Sequence, residues 1–127
     1  MKLRCTTNSI RIRVRKSELA QLAKEQDILE SIQFGGGVSI SFSLSISGHA
    51  KKVSAYFLNY KILVKIPKAI ASKWINSNEV SIEVNQPLDN GDSLHILIEK
   101  DFPCLDREEE DKSDTFWELA PETPDAC

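Results

Sequence analysis

Val38-Ser39-Ile40-Ser41-Phe42-Ser43-Leu44-Ser45-Ile46 decides the fold class, because apolar residues and serines alternate along its whole length. A strand turns successive side chains to opposite faces, so this period of two makes one apolar face and one small, hydroxylated face. The stretch reads as a half-buried strand. Outward from it, Ile10, Ile12 and Val14 alternate with Arg11, Arg13 and Arg15. The same period recurs in Val53-Ala55-Phe57, Ile62-Val64-Ile66, Val80-Ile82-Val84 and Leu94-Ile96-Ile98. Alternation with one wet face belongs to antiparallel sheets.

Two segments change period. Ser17 is a candidate N-cap for a helix over 17–25 whose Leu19, Leu22 and Ala23 share a face. Pro67 stands where a second helix would begin, over 68–76, with Ile70, Ala71 and Trp74 expected to point inward. Turn signals fall at Gly35-Gly36-Gly37, Ser47-Gly48-His49, Asn59-Tyr60 and Asp89-Asn90-Gly91-Asp92, each between two strand patterns as a hairpin requires. The expected order is strand 9–15, helix, strand 28–34, strand 38–47, then strand 52–58, then strand 61–66, helix, strand 79–84, strand 93–99. Strand-helix-strand-strand therefore occurs twice, although the halves share few identities. These elements predict an α+β domain: a mainly antiparallel sheet of about seven strands with both helices on one face, or alternatively a barrel-like closure of that sheet.

Length and charge bound the rest. A chain of 127 residues suits one domain. Residues 1–100 hold fourteen Lys and Arg against nine Asp and Glu, a net of +5, whereas residues 101–127 hold ten carboxylates against Arg107 and Lys112, a net of −8. The division predicts a basic domain over 1–106 and an acidic, largely mobile tail over 107–127, with Phe116, Trp117 and Leu119 as its apolar residues. No apolar run reaches the length of a membrane span, so a soluble cytoplasmic protein is expected. Cys5, Cys104 and Cys127 are odd in number and widely spaced, which favours free thiols over disulfides.

Candidate chemistry is sparse. Cys104 follows a strand end with the cations Lys100 and Arg107 nearby, which could favour a thiolate, and with Asp101 as a polar neighbour. The only histidines, His49 and His95, have no sequence relation to it. The cysteines and histidines lack the close pairing of a zinc site, so neither metal nor cofactor is implied. Gly35-Gly36-Gly37 lacks the Gly-Lys-Ser/Thr ending and following helix of a phosphate loop. Glu109-Glu110 lies in a charge run without the fixed geometry acid–base work needs. Arg11, Arg13 and Arg15 put three guanidinium groups on one strand face, with Arg4 and Lys2 adjoining. Without interleaved aromatics this argues against nucleic acid and for cross-strand pairing with Glu83 or Glu99.

Asn8-Ser9-Ile10-Arg11-Ile12-Arg13-Val14, Val64-Lys65-Ile66-Pro67 with Trp74, and Ile98-Glu99-Lys100-Asp101-Phe102-Pro103-Cys104-Leu105 together resemble a family of short uncharacterised bacterial proteins, a domain of unknown function. The resemblance covers most of residues 1–106. It implies a stand-alone bacterial cytoplasmic protein and transfers no activity. The residues themselves predict a binding module that uses the polar sheet face, with Arg11, Arg13 and Arg15, or the segment 100–106 with Phe102. The partner would be a protein or a small ligand, and the membrane is excluded as a partner. The alternative is a thiol-dependent enzyme or redox sensor centred on Cys104.

Overall fold

The computed structural model describes residues 1–102, 114 and 116–119. Its elements run β1 (Lys2–Thr6), β2 (Ser9–Val14), α1 (Lys16–Glu25), β3 (Asp27–Gln33), β4 (Ser39–Ser47), β5 (Ser54–Leu58), β6 (Lys61–Pro67), α2 (Lys68–Ile75), β7 (Ser81–Pro87) and β8 (Ser93–Lys100), followed by a 3-10 turn at Trp117–Leu119. The fold is α+β, with two mixed sheets of four strands each, in the orders β1-β2-β8-β7 and β3-β4-β6-β5. The expected single antiparallel sheet of seven strands is therefore replaced by two sheets, and among the described residues no strand ladder closes them into a barrel. β1 is the strand that alternation missed. It is an edge strand carrying Lys2 and Arg4 with one half-buried apolar residue, Leu3, and charge on an edge blocks pairing with other chains. Alternation also misled about direction, because each sheet joins two antiparallel hairpins through a central parallel pair, β2 with β8 and β4 with β6.

The chain runs through the same five elements twice, β1-β2-α1-β3-β4 and then β5-β6-α2-β7-β8. The expected repeat lacked the first strand of each unit. Lys2 to Ser54 and Ser9 to Lys61 are both steps of 52 residues, and Asp27 to Ser81 and Ser39 to Ser93 are steps of 54. Shifted by those steps, the registers of one half become those of the other. Lys2 opposite Arg13 becomes Ser54 opposite Lys65, and Asp27 opposite Ser45 becomes Ser81 opposite Glu99. Ser9 beside His95 becomes Lys61 beside Ser41. The hairpins exchange partners on the way, so each sheet takes one hairpin from each half. Ser47-Gly48-His49 is accordingly not a hairpin, because β6 lies between β4 and β5.

The core obeys the same correspondence. Buried Met1, Ile12, Val14, Leu22, Ile28, Phe42 and Leu44 stand where Val53, Val64, Ile66, Trp74, Ile82, Ile96 and Ile98 stand in the other half. α1 lies against β3 and β4, α2 against β4 and β6, and the helices touch each other. Leu22 and Trp74 are the fully buried anchors of the two helices, and the Trp74 indole N–H donates to the Val80 carbonyl at 3.1 Å. Ala71 is buried as expected, but Ile70 is 39% exposed and Ala23 is exposed. Arg15, not Ser17, is the N-cap of α1, with its backbone N–H donating to Glu18 at 2.9 Å.

Two seams remain between the sheets. At the β1/β3 seam the Met1 ammonium donates to Glu18 and, at 2.8 Å, to Glu30. Burial works to lower the pKa of that amino group, but the hydrogen bonds and charges of Glu18 and Glu30 outweigh it and hold the group above its ordinary 8.0. Burial likewise works to raise Glu18. The ammonium and the Arg15 hydrogen bonds prevail and hold its carboxyl below 4.5. At the β5/β7 seam the bridge is made by a neutral side chain. The Gln86 side chain accepts from the Ala55 N–H at 2.8 Å and donates to the Ala55 carbonyl at 3.0 Å, as a strand neighbour would.

Candidate functional site

The outer face of the sheet β1-β2-β8-β7 follows from strand parity. Ile10, Ile12, Val14, Ile96 and Ile98 turn inward to the core, so Ser9, Arg11, Arg13, His95, Leu97 and Glu99 turn outward. Antiparallel pairing then sets Arg4 opposite Arg11 and Lys2 opposite Arg13. Glu99 is buried among them. It accepts from the Arg13 Nε–H at 2.7 Å, while the Arg11 Nε stands 3.8 Å from the same oxygen. Arg13 therefore holds the hydrogen bond, and Arg11 feels only the charge. Lys2 lies 3.9 Å from Asp101.

The Arg4–Arg11 rung separates two hollows on this face. One, of about 170 Å³, is completed by Thr6, Ser9, His95 and Leu97. The other, of about 360 Å³, is completed by Lys2, Leu3 and Arg13. In the first hollow His95 bridges two polar partners, with Nε2 at 2.6 Å from Glu83 and Nδ1 at 3.1 Å from the Ser9 hydroxyl. An ionised carboxylate only accepts, so the proton sits on Nε2, and in the neutral ring Ser9 donates to Nδ1. Ser9, His95 and Glu83 are thus a connected relay beside two guanidinium groups.

The other sheet provides an internal comparison. At the positions of Arg4, Arg11, Arg13 and His95 its outer face carries Tyr56, Leu63, Lys65 and Ser41. One backbone plan carries a cationic, hydrogen-bonding surface on one sheet and a hydroxylated, partly apolar surface on the other.

The sequence-derived candidates divide accordingly. Arg11 and Arg13 share the face with Arg4 and Lys2, but Arg15 does not, because β2 ends at Val14 and Arg15 turns to cap α1 at Glu18. The expected pairing with Glu99 is present, whereas Glu83 pairs with His95. Lys100 turns away from the row and donates to the Ser77 carbonyl at 2.8 Å. Phe102 is exposed. Cys104 and the rest of the segment 103–106 lie outside the described residues, as do Cys127, Arg107 and Glu109-Glu110. Cys5 is an exposed free thiol. Phe116 and Leu119, apolar residues of the acidic stretch, are each 75% exposed. Among the described residues no group of three His, Cys, Asp or Glu could hold a metal ion, and no helix is long and apolar enough to cross a membrane. Ser9, His95 and Glu83 were not legible as a site. Parity put each on an outer face, but only the parallel pairing of β2 with β8, 86 residues apart, brings Ser9 beside His95.

The model of the family of unknown function DUF7009 matches residues 1–119. The chain belongs to that family. The match spans both five-element units and runs on through the acidic stretch 106–111. No curated protein and no solved structure matches the chain.

Proposed function

We propose that this DUF7009 member is a binding module that holds an extended, acidic segment of a partner protein along β1 and β2. The observation that carries the reading is the Arg4–Arg11 rung with a hollow on either side of it. Buried Glu99 makes its hydrogen bond to Arg13, which leaves the Arg11 guanidinium on the wall of both hollows. Alternate side chains of an extended peptide recur about every 7 Å on one side, a spacing that sets one carboxylate in each hollow. The described outer face has no Phe, Tyr or Trp for bases to stack on, which favours carboxylates over single-stranded nucleic acid. The bacterial, cytoplasmic setting implied by the resemblance belongs to the same reading.

The test is anisotropy of a labelled peptide of alternating Glu and Ser. Arg11→Ala should weaken binding at low salt by about five- to tenfold, and physiological salt should weaken the wild type too. Equal affinities for wild type and variant would sink the proposal, and competition by an oligonucleotide as strong as by the peptide would move it to nucleic acid.

The Ser9–His95–Glu83 relay supports a second reading, hydrolysis of a small anionic ester. Ser9 would attack the carbonyl carbon as His95 Nδ1 takes the hydroxyl proton, and the ester C–O bond would break as that proton passes to the leaving alkoxide. Water would then hydrolyse the acyl-Ser9 ester by the same route, and Glu83 would hold the imidazolium. Oxyanion stabilisation would fall to Arg4 and Arg11, because the strand ladders use the neighbouring backbone N–H groups. Turnover of an activated ester that survives Ser9→Ala unchanged would end this reading.

A further inference from the structure

The two seams occupy equivalent places in the two halves, and they are filled differently. At the β1/β3 seam Met1, Glu18 and Glu30 are packed together. Their counterparts at the β5/β7 seam, by the steps of 52 and 54 residues, are Val53, Ile70 and Val84. The difference begins at the helix N-caps. Arg15 has an N–H that needs an acceptor, and Glu18 supplies it. Pro67, the N-cap of α2, has no N–H, so the residue three positions on has nothing to accept and is apolar Ile70. Two carboxylates and an ammonium thereby become two aliphatic side chains and a continuous backbone.

The result is a cavity of about 690 Å³ walled by Val53, Tyr56, Ile70, Val84 and the Gln86 side chain, with Lys51 and Lys52 at its edge. That volume lies within the usual range for small-molecule sites, roughly 300–1,000 Å³. Among the described residues, none that lines it is acidic and neither lysine forms an ion pair. Ile70 is 39% exposed whereas its counterpart Glu18 is 7% exposed, so apolar surface stands open here at a position the other seam buries.

We propose that the β5/β7 seam binds a small amphipathic carboxylate, its apolar body between Ile70 and Val84 and its carboxylate at Lys51 and Lys52. Burial of the aliphatic walls supplies affinity, and the cationic edge orients the head group. The site is separate from the arginine face, so either can fail without the other.

Decanoate titrated into the ¹⁵N-labelled full chain tests it, with decanol as the uncharged control. Saturable shifts are expected at the amides of Tyr56, Ile70, Val84 and Gln86. Lys51→Glu with Lys52→Glu, both at exposed positions, should weaken decanoate about tenfold while changing decanol less than about twofold. Val84→Glu installs the residue type that the other seam carries and should weaken both ligands about tenfold or more. Shifts elsewhere on the molecule, absence of saturation, or equal decanoate affinity after the lysine reversals would each overturn the assignment.

Discussion

Glu18→Gln probes the charged seam with the least change of shape. The amide oxygen of Gln can still accept from the Arg15 N–H, so the helix cap is kept, while the charge facing the Met1 ammonium is lost. A hydrogen bond to a charged group contributes about 1.5–3 kcal/mol, and the ammonium retains Glu30, so the expected cost is about 2 kcal/mol. The pH dependence carries more information than the size. Glu18 is held below its ordinary 4.5, so its contribution is present above that value and is lost as pH falls through the lower folded value. The Met1 amino group is held above 8.0, so its contribution is present below 8.0 and is lost as pH rises through the higher folded value. The difference between wild type and variant should therefore be largest between about pH 5 and pH 8 and shrink on both sides. Urea unfolding across that range, on chains whose first residue is Met1, measures it. A difference that does not vary with pH, or that stays under about 0.5 kcal/mol at neutrality, would refute the ammonium–carboxylate account.

Trp74→Ala should cost about 3–5 kcal/mol in urea unfolding, since the ring is fully buried and its N–H is bonded to Val80; a loss under about 1 kcal/mol would show that the ring does not anchor α2. Gln86→Ala removes both bonds to Ala55 and should cost about 1–2 kcal/mol while hastening hydrogen exchange at the Ala55 amide, so unchanged exchange would deny that Gln86 closes the seam. Deleting 107–127 should leave a cooperative unfolding transition. It should also raise low-salt affinity for the acidic peptide, because Glu108, Glu109, Glu110 and Asp111 have the chemistry of the proposed ligand. Loss of the transition would place the tail in the core, and unchanged affinity would exclude it as a competitor.

Local pattern made most of the elements legible, and long-range pairing stayed hidden. Alternation in 38–46 found β4, and the mixed period around Leu22 and Trp74 found both helices, because those signals are written in neighbouring residues. β1 escaped because an edge strand needs only one apolar contact, here Leu3, to be held in place. The division into two sheets depends on β2 choosing β8 rather than β3, a choice made across 86 residues by core packing that no local window contains. Arg15 illustrates the same limit at the site. Parity continued β2 by one residue too many, and the demand of α1 for a cap took the guanidinium out of the row. His95 was visible only as an outward residue of a strand, and its relay with Ser9 and Glu83 needed three strands set side by side.

The internal repeat supplies the control for the most direct measurement. The alternating Glu/Ser peptide, titrated at low salt into the ¹⁵N-labelled full chain, should shift the amides of Ser9, Arg11, His95 and Leu97. Their counterparts Lys61, Leu63, Ser41 and Ser43 on the other sheet should stay still. Equal shifts on both sheets, or shifts confined to the second set, would contradict the assignment of the arginine face as the binding surface.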